Sequence, residues 1–146
     1  MGAMSDRPPL VGIYGLGRFG TFWGELLSRE FKVIGASRSA KPNLPSSIHY
    51  CSIDELAEAD ALFLCVAISA MEESCQALAE LLRPDQTVFD TCSVKVYPAR
   101  VMEEAFPSRQ PLIATHPMFG PDSARNGAAG LPIIMHPLRH AQGPYE

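Results

Sequence analysis

Three closely spaced glycines near the N-terminus have the spacing of a phosphate-binding turn. The segment reads Gly15-Leu16-Gly17-Arg18-Phe19-Gly20 and fits the pattern G-x-G-x-x-G. In this pattern the first glycine makes a tight turn, the second lets the backbone approach a pyrophosphate, and the third lets a helix pack closely on a strand. The helix that follows adds free N–H groups and the positive end of its dipole. These residues predict a dinucleotide site, with a purely structural strand-to-helix turn as the alternative.

A second polar segment bears on which dinucleotide is bound. It reads Ser37-Arg38-Ser39-Ala40-Lys41 and begins about 20 residues after the glycines, where NAD-binding folds carry an Asp or Glu that holds the ribose hydroxyls. An arginine can instead hold a 2′-phosphate through two parallel N–H···O bonds, and the serine hydroxyls and Lys41 add donors and charge. The sequence therefore favours NADP over NAD as the cofactor. The alternative is a solvated polar turn after a strand.

Of the four histidines, His116 has the best position for proton transfer. It follows the apolar run 111–115, and a histidine at the end of a buried strand can accept a proton near neutral pH. Position alone leaves a structural role equally open. The other three are predicted to be structural or solvated: His49, His136 and His140.

Further candidate residues follow predicted strands or lie near the strand ends. Ser93 has no base beside it in the sequence, so we expect it to form a hydrogen bond rather than to act as a nucleophile. Lys95 lies in the same loop, and Val66 and Ser69 are the remaining predicted contacts to the dinucleotide. Ligands of α/β sheets bind beyond the carboxyl ends of the strands, so we expect all these residues to meet at one edge.

The elements that must position these residues follow from apolar runs that alternate with helical patterns. The predicted strands are Leu10–Tyr14, Phe31–Ala36, Ile48–Cys51, Ala61–Ile68, Thr87–Thr91, Pro111–Thr115 and Leu131–Met135. The predicted helices are Arg18–Glu30, a short helix at 52–56 capped by Ser52 or Asp54, a helix capped by Ser69 that ends at Pro84, and one from near Pro98 to about Phe106. This alternation predicts a Rossmann-type α/β fold with a doubly wound, mostly parallel sheet.

Composition limits the class of protein. A chain of 146 residues with 47% hydrophobic and 19% charged residues suits one folded domain. The net charge of −4 argues against a general nucleic-acid surface. The four cysteines form no C-x-x-C pair, so we expect free thiols in a reducing cytoplasm rather than a disulfide framework or a metal site. No apolar run approaches the roughly 20 residues that span a bilayer, and no apolar signal segment opens the chain.

Three segments together resemble the prephenate/arogenate dehydrogenases of tyrosine biosynthesis. They are the glycine segment, Ser93-Val94-Lys95, and Thr115-His116-Pro117-Met118-Phe119-Gly120-Pro121-Asp122-Ser123. The His-Pro-Met-Phe-Gly-Pro part is the most specific of the three, and the resemblance runs in order from about Leu10 to Met135. The segment Ser37-Arg38-Ser39 is most similar to the NADP-using arogenate dehydrogenases.

The resemblance implies an oxidative decarboxylation. Enzymes of this family take hydride from the ring carbon that bears the 4-hydroxyl of prephenate or arogenate, give it to the nicotinamide, and release carbon dioxide as the ring becomes aromatic. His116 would then bind the 4-hydroxyl and accept its proton. Ser93 would hydrogen-bond the same hydroxyl or hold His116 and the nicotinamide in place, and Lys95 would either support its loop or contact the substrate. The sequence does not choose between the two substrates.

The chain departs from the family pattern at its C-terminus. Family members continue into a helical domain that forms a homodimer and supplies cations for the substrate carboxylates, whereas this sequence stops at Glu146. We therefore expect an NADP-binding domain at 10–137 and a C-terminal tail at 138–146 that marks a truncation. The N-terminal tail at 1–9 is expected to begin with an expression scar. Such a fragment would have little or no activity alone, and it would be cytoplasmic, or plastidial in a plant.

Two other functions are compatible with the glycine segment. One is another NAD(P)-dependent dehydrogenase of the same superfamily, acting on a hydroxyacid or an imine, although the segment 116–123 argues against it. The other is a non-enzymatic module that senses NADP, which only the missing second domain favours.

Overall fold

A computed structural model of the chain describes residues 7–39, 41 and 43–139. The strands are β1 (Leu10–Tyr14), β2 (Lys32–Ala36), β3 (Ile48–Tyr50), β4 (Ala61–Leu64), β5 (Thr87–Asp90), β6 (Leu112–Pro117) and β7 (Ile133–Arg139). The α-helices are α1 (Arg18–Leu27), α2 (Met71–Ala79) and α3 (Val96–Ala105), with short 3-10 helices at Asp54–Glu58 and Ile68–Ala70. Within these residues no helix has both the length and the apolar character needed to cross a membrane.

The strands form one sheet in the order β3-β2-β1-β4-β5-β6-β7. The first six strands are parallel, and β7 is antiparallel to β6. Chain order runs outward from β1 in both directions, so the order reverses between β1 and β4. This confirms the predicted doubly wound, mostly parallel sheet, and it puts the switch point, where such sheets bind ligands, beside the glycine segment.

Two apolar clusters hold the helices against the sheet. One joins Trp23 of α1 to Ile13 and Val33 of the central strands. The other joins Met71 of α2 and Met102 of α3 to strand residues such as Leu62, Leu64 and Val88. Burying each such side chain contributes about 1.5–3 kcal/mol, so the clusters fix the loops at the strand ends to a rigid frame.

The predicted cap of the short helix after β3 is wrong. The structure forms a 3-10 helix at Asp54–Glu58 whose N-cap residue is Ile53, with no side-chain hydrogen bond from the cap. The carboxylate of Glu55 instead accepts the backbone N–H of Ser52 at 2.9 Å. The acidic side chain of Glu55, inside the first turn, therefore accepts the free backbone N–H of Ser52, and a hydroxyl at the cap is not needed. Helix α1 is also shorter than predicted, since it ends at Leu27 rather than Glu30.

Strand β4 is shorter than the apolar run 61–68, and Ser69 does not cap the next helix. The last residue of β4, Leu64, pairs with Tyr14 and Asp90, which end β1 and β5, so no neighbouring strand remains beyond it. The residues that follow form a loop and a 3-10 helix that contains Ser69. The N-cap of α2 is Ala70, which has no side chain able to cap.

Strands β6 and β7 form an antiparallel pair that extends beyond both predictions. His116 lies within β6, opposite Ile134, and not in the loop after the strand. β7 continues through Arg139, whose Nη2 donates to the carbonyl of Phe106 at 2.9 Å, so the strand includes the first two residues of the predicted tail. Each strand supplies the backbone partners of the other, and neither apolar pattern shows this by itself. His140, the scar at 1–3 and most of the predicted C-terminal tail lie outside the described residues.

Candidate functional site

The glycine segment forms a turn that tolerates no side chain at two of its three glycines. Gly15 has φ +102°, and a Cβ there would lie 2.5 Å from the carbonyl oxygen of Cys65. A Cβ at Gly20 would lie 1.8 Å from the carbonyl oxygen of Gly15, so α1 packs directly on the end of β1. A Cβ at Gly17 would meet nothing within 4 Å. The space over Gly17 therefore lets a ligand approach the backbone closely.

The first turn of α1 presents backbone donors beside that open space. The first hydrogen bond of the helix runs from the N–H of Thr21 to the carbonyl of Gly17 at 3.0 Å. Gly17 is the N-cap and gives no side-chain hydrogen bond, so the N–H groups of Arg18, Phe19 and Gly20 precede the helical ladder. Such groups, together with the helix dipole, favour a phosphate.

The different environments of Gly20 and Gly17 predict different costs for an added methyl group. We expect Gly20→Ala to lower the free energy of unfolding by about 1–3 kcal/mol, because the new Cβ meets backbone and α1 must move away from β1. Gly17→Ala is expected to cost less than about 1 kcal/mol, since its Cβ enters open space. Urea unfolding of the purified chain measures both, and equal losses would contradict this account of the turn.

A cleft of about 330 Å³ lies beside the glycine turn at the ends of β1 and β2, and we call it the glycine-turn cleft. Eight predicted cofactor residues line it: Gly15, Leu16, Gly17, Ser37, Arg38, Ser39, Lys41 and Val66. The hydroxyl of Ser37 donates to the carbonyl of Ser39 at 2.5 Å, which folds the segment after β2 into a turn. Nη1 of Arg38 lies 3.5 Å from Oε2 of Glu73, a residue of α2 on the opposite wall.

A second cavity of about 550 Å³ adjoins the glycine-turn cleft across Cys65, Val66 and Ala67, which line both. Its other walls come from Phe19, from the loop after β5 that contains Ser93, and from Pro117 and Phe119. The two spaces together run along the carboxyl edge of the sheet on both sides of the switch point. Their arrangement suits a ligand with two halves joined near the glycine turn.

Two thiols in this region are poor nucleophiles. Burial raises the pKa of Cys65 to about 12 and that of Cys92 to about 11. Both side chains are therefore protonated at neutral pH, and a reaction in this cavity cannot begin from a thiolate. All four cysteines are free thiols, and no group of three or more acidic, His or Cys side chains in the described ranges could hold a metal ion.

Asp90, at the end of β5, organises the loop that carries Ser93. Its carboxylate is fully buried and accepts the backbone N–H of Thr115 at 3.0 Å and that of Cys92 at 3.2 Å. Nζ of Lys95 lies 2.5 Å from the same carboxylate and also donates to the carbonyl of Thr115. Lys95 lines neither cavity, so its geometry favours support of the loop over contact with a substrate.

Not all the predicted residues come together. Ser69 lines neither space, and Gly20 is enclosed beneath the turn. His116 is half-buried in β6 and also lines neither space, although Pro117, the next residue, does. No hydrogen bond joins Ser93 to His116 in the described part of the chain, so Ser93 does not hold the imidazole in this structure.

The side chain of Arg18 turns away from both spaces and binds the segment after β6. Its Nη1 and Nη2 donate to the two carboxylate oxygens of Asp122 at 2.9 and 2.5 Å. This bidentate contact raises the pKa of Arg18 and lowers that of Asp122. The ring of Phe119 packs against Phe22 and Trp23 of α1, so the segment is attached to the helix by apolar as well as charged contacts.

Sequence reasoning missed Asp90, Asp122 and Glu73 as residues that shape the site. An acidic residue that closes an apolar run, as Asp90 does, was a usable signal, since a charge at the end of a buried strand needs a partner. Asp122 is 104 residues from Arg18, and no local pattern links the two positions.

The chain is similar in sequence to known proteins. The family described as "Prephenate dehydrogenase, nucleotide-binding domain" matches residues 29–140. Arogenate dehydrogenase 1, chloroplastic, of Arabidopsis thaliana is 30% identical over 94% of the chain and 23% of its own length. Cyclohexadienyl dehydrogenase of Zymomonas mobilis is 33% identical over 60% of the chain and 31% of its own length.

Solved structures agree on the fold. Arogenate dehydrogenase of Synechocystis has a TM-score of 0.71 at 24% identity, over 91% of this chain and 51% of that one. Prephenate dehydrogenase of A. aeolicus, in complex with hydroxyphenyl propionate and NAD+, has a TM-score of 0.68 at 24% identity, over 93% of this chain and 53% of that one. The chain thus spans about half the length of these structures and 23–38% of the first two curated relatives.

Proposed function

Because this chain belongs to the prephenate dehydrogenase family, as its nucleotide-binding domain, we propose that it binds NADP for the oxidation of a cyclohexadienyl substrate. The substrate is prephenate or arogenate, and the product is aromatic after loss of carbon dioxide. The observation that supports NADP is the turn Ser37-Arg38-Ser39 at the end of β2, where a guanidinium and two hydroxyls stand in the place of a ribose-binding carboxylate. The relatives are dehydrogenases, which supports the reaction class.

The residues present fit a dinucleotide. A Cβ at Gly17 would enter empty space, the N–H groups that follow it precede the ladder of α1, and the two adjoining spaces continue from there in opposite directions. In the proposed complex Arg38 and Lys41, which line the glycine-turn cleft, would hold the 2′-phosphate of the adenosine half. The backbone N–H groups after Gly17 would hold the pyrophosphate, and the second cavity, which Val66 lines, would receive the nicotinamide.

The residues beside the second cavity would carry out the proton transfer and orient the substrate. When bound, the nicotinamide supplies the acceptor for a hydride from the substrate carbinol carbon. Hydride loss from an alcohol requires removal of the O–H proton, and in this proposal the imidazole of His116 takes that proton. Ser93, which lines the cavity, donates a hydrogen bond to the same hydroxyl and orients it. The carboxylate leaves as carbon dioxide, and the electron pair of the broken C–C bond completes the aromatic ring, so the protein mainly orients and deprotonates.

Replacing Arg38 tests the choice of cofactor. We expect Arg38→Gln to weaken NADP+ binding by about 10–100-fold, the range for losing a charged hydrogen-bond partner, and to leave NAD+ binding within about 2-fold. Calorimetry on the purified chain measures both. Arg109→Gln is the matched control, since this exposed arginine lies before β6, at the opposite edge of the sheet.

Two results would refute parts of the proposal separately. No binding of NADP+ or NADPH at millimolar concentration would exclude the site itself. Tighter binding of NAD+ than of NADP+ by the unmodified chain would refute the role given to Arg38 while leaving the dinucleotide site in place.

A further inference from the structure

The guanidinium that would grip a 2′-phosphate already has a partner. Nη1 of Arg38 lies 3.5 Å from Oε2 of Glu73, and both residues line the glycine-turn cleft from opposite walls. Arg38 comes from the turn after β2, and Glu73 from the first turn of α2. The contact therefore spans the mouth of the cleft, where the proposed phosphate must enter.

The pair is weak enough for a ligand to break. The side chains are 80% and 74% exposed, and exposed pairs contribute little because water and salt screen them. A ligand that offers Arg38 a dianionic phosphate at bidentate distance can displace the carboxylate. The displaced carboxylate still lines the cleft, close to the new charge.

The two dinucleotides meet Glu73 differently. A 2′-phosphate is repelled by the carboxylate and competes with it for the same guanidinium. A 2′-hydroxyl carries no charge and can donate a hydrogen bond to a carboxylate, as ribose does in NAD-binding folds. Glu73 therefore lowers the affinity for NADP but not the affinity for NAD. It lies about 35 residues beyond the position where a ribose-binding acid is expected.

We propose that Glu73 is a specificity-determining residue. Its carboxylate competes with the 2′-phosphate for the guanidinium of Arg38, and the preference for NADP over NAD is therefore smaller than Arg38 alone would give. This inference rests on the proposed dinucleotide function of the cleft. It assigns a role to a residue on α2, on the opposite side of the switch point from the turn that usually decides the cofactor.

The test is the substitution Glu73→Gln, read by calorimetry with NADP+ and NAD+ on the purified chain. We expect about 3–10-fold tighter NADP+ binding, the size expected for removing one exposed like charge, and a change of less than about 2-fold for NAD+. Glu72→Gln is the matched control, because it removes the same charge from the same helical turn but lines a different groove, with Gln76 and Tyr97. If both substitutions raised the NADP+ affinity equally, the cause would be the lower net negative charge of the domain and not the position of Glu73. That result would overturn the proposal.

A double-mutant cycle with Arg38→Gln tests the competition itself. If Glu73 acts by occupying Arg38, the gain from Glu73→Gln disappears when Arg38 is already glutamine. A full gain in that background would overturn the competition. Unchanged NADP+ affinity in Glu73→Gln, with the unmodified chain binding NADP+, would refute the role of Glu73 alone. Absence of all dinucleotide binding would instead remove the proposed function and this inference with it.

Discussion

Asp90→Ala is expected to destabilise the domain by about 3–4 kcal/mol. The substitution removes a fully buried carboxylate, which leaves the ammonium of Lys95 without its counter-charge and the buried N–H of Thr115 without its acceptor. Breaking a buried ion pair on one side costs about 3–5 kcal/mol, and the lower half of that range applies because the side chain of Lys95 is 31% exposed and can reach water. Urea unfolding of the purified chain measures the loss.

Two further variants test whether the burial and the charge of Asp90 explain the expected loss of stability. Asp85→Ala breaks a pair with Arg83 in which the acid is 74% exposed, and we expect it to cost less than about 1 kcal/mol. Asp90→Asn keeps an oxygen that can accept one backbone N–H but loses the charge facing Lys95, so its cost should lie between the two. If Asp90→Ala lowered the free energy of unfolding no more than Asp85→Ala does, the loop after β5 would not depend on the carboxylate of Asp90.

His116→Asn is expected to lower kcat by about 10²–10⁴-fold, the usual contribution of a general base. The measurement tests the proposed function directly: dehydrogenase activity is assayed with NADP+ and with prephenate or arogenate. NADP+ affinity should remain unchanged, because His116 lines neither the glycine-turn cleft nor the second cavity. An asparagine keeps a hydrogen-bonding side chain but cannot take the proton.

The neighbouring strand offers a control for that variant. His136 is exposed on β7, opposite Ala114 of β6, and His136→Asn makes the same chemical change on the same strand pair. We expect its kcat to stay within about 2-fold of the unmodified enzyme. An unchanged kcat in His116→Asn would remove this residue from the mechanism and leave Ser93 as the remaining candidate for contact with the hydroxyl.

Local sequence patterns predicted much of the fold. Strand β1 begins and ends as predicted, β5 ends one residue earlier, and α3 ends one residue before the predicted limit. These elements have strong local signals: an apolar run closed by glycine, an apolar run closed by a polar loop, and a helix with Pro98 in its first turn and Pro107 after it. Where such signals coincide, local preference and tertiary structure agree.

The predictions failed where partners decide the structure. The length of β6, and with it the place of His116 inside a strand, depends on pairing with β7 and not on the residues of β6 alone. Ser69 was a good cap by residue type, but a 3-10 helix moved the start of α2 past it. The contacts of Arg18 and Arg38 with acids on other elements are equally invisible to a reading of neighbouring residues.

The sheet order has a consequence for how the chain folds. β1 is early in the chain yet lies between β2 and β4, and the N–H of Leu10 donates to the carboxylate of Asp60, 50 residues later. As the chain is synthesised, β1 can pair with β2 early, but its other edge stays open until β4 arrives. An apolar strand with an open edge is a template for pairing with a second molecule. The interval before β4 docks is therefore a period in which the chain is prone to aggregate.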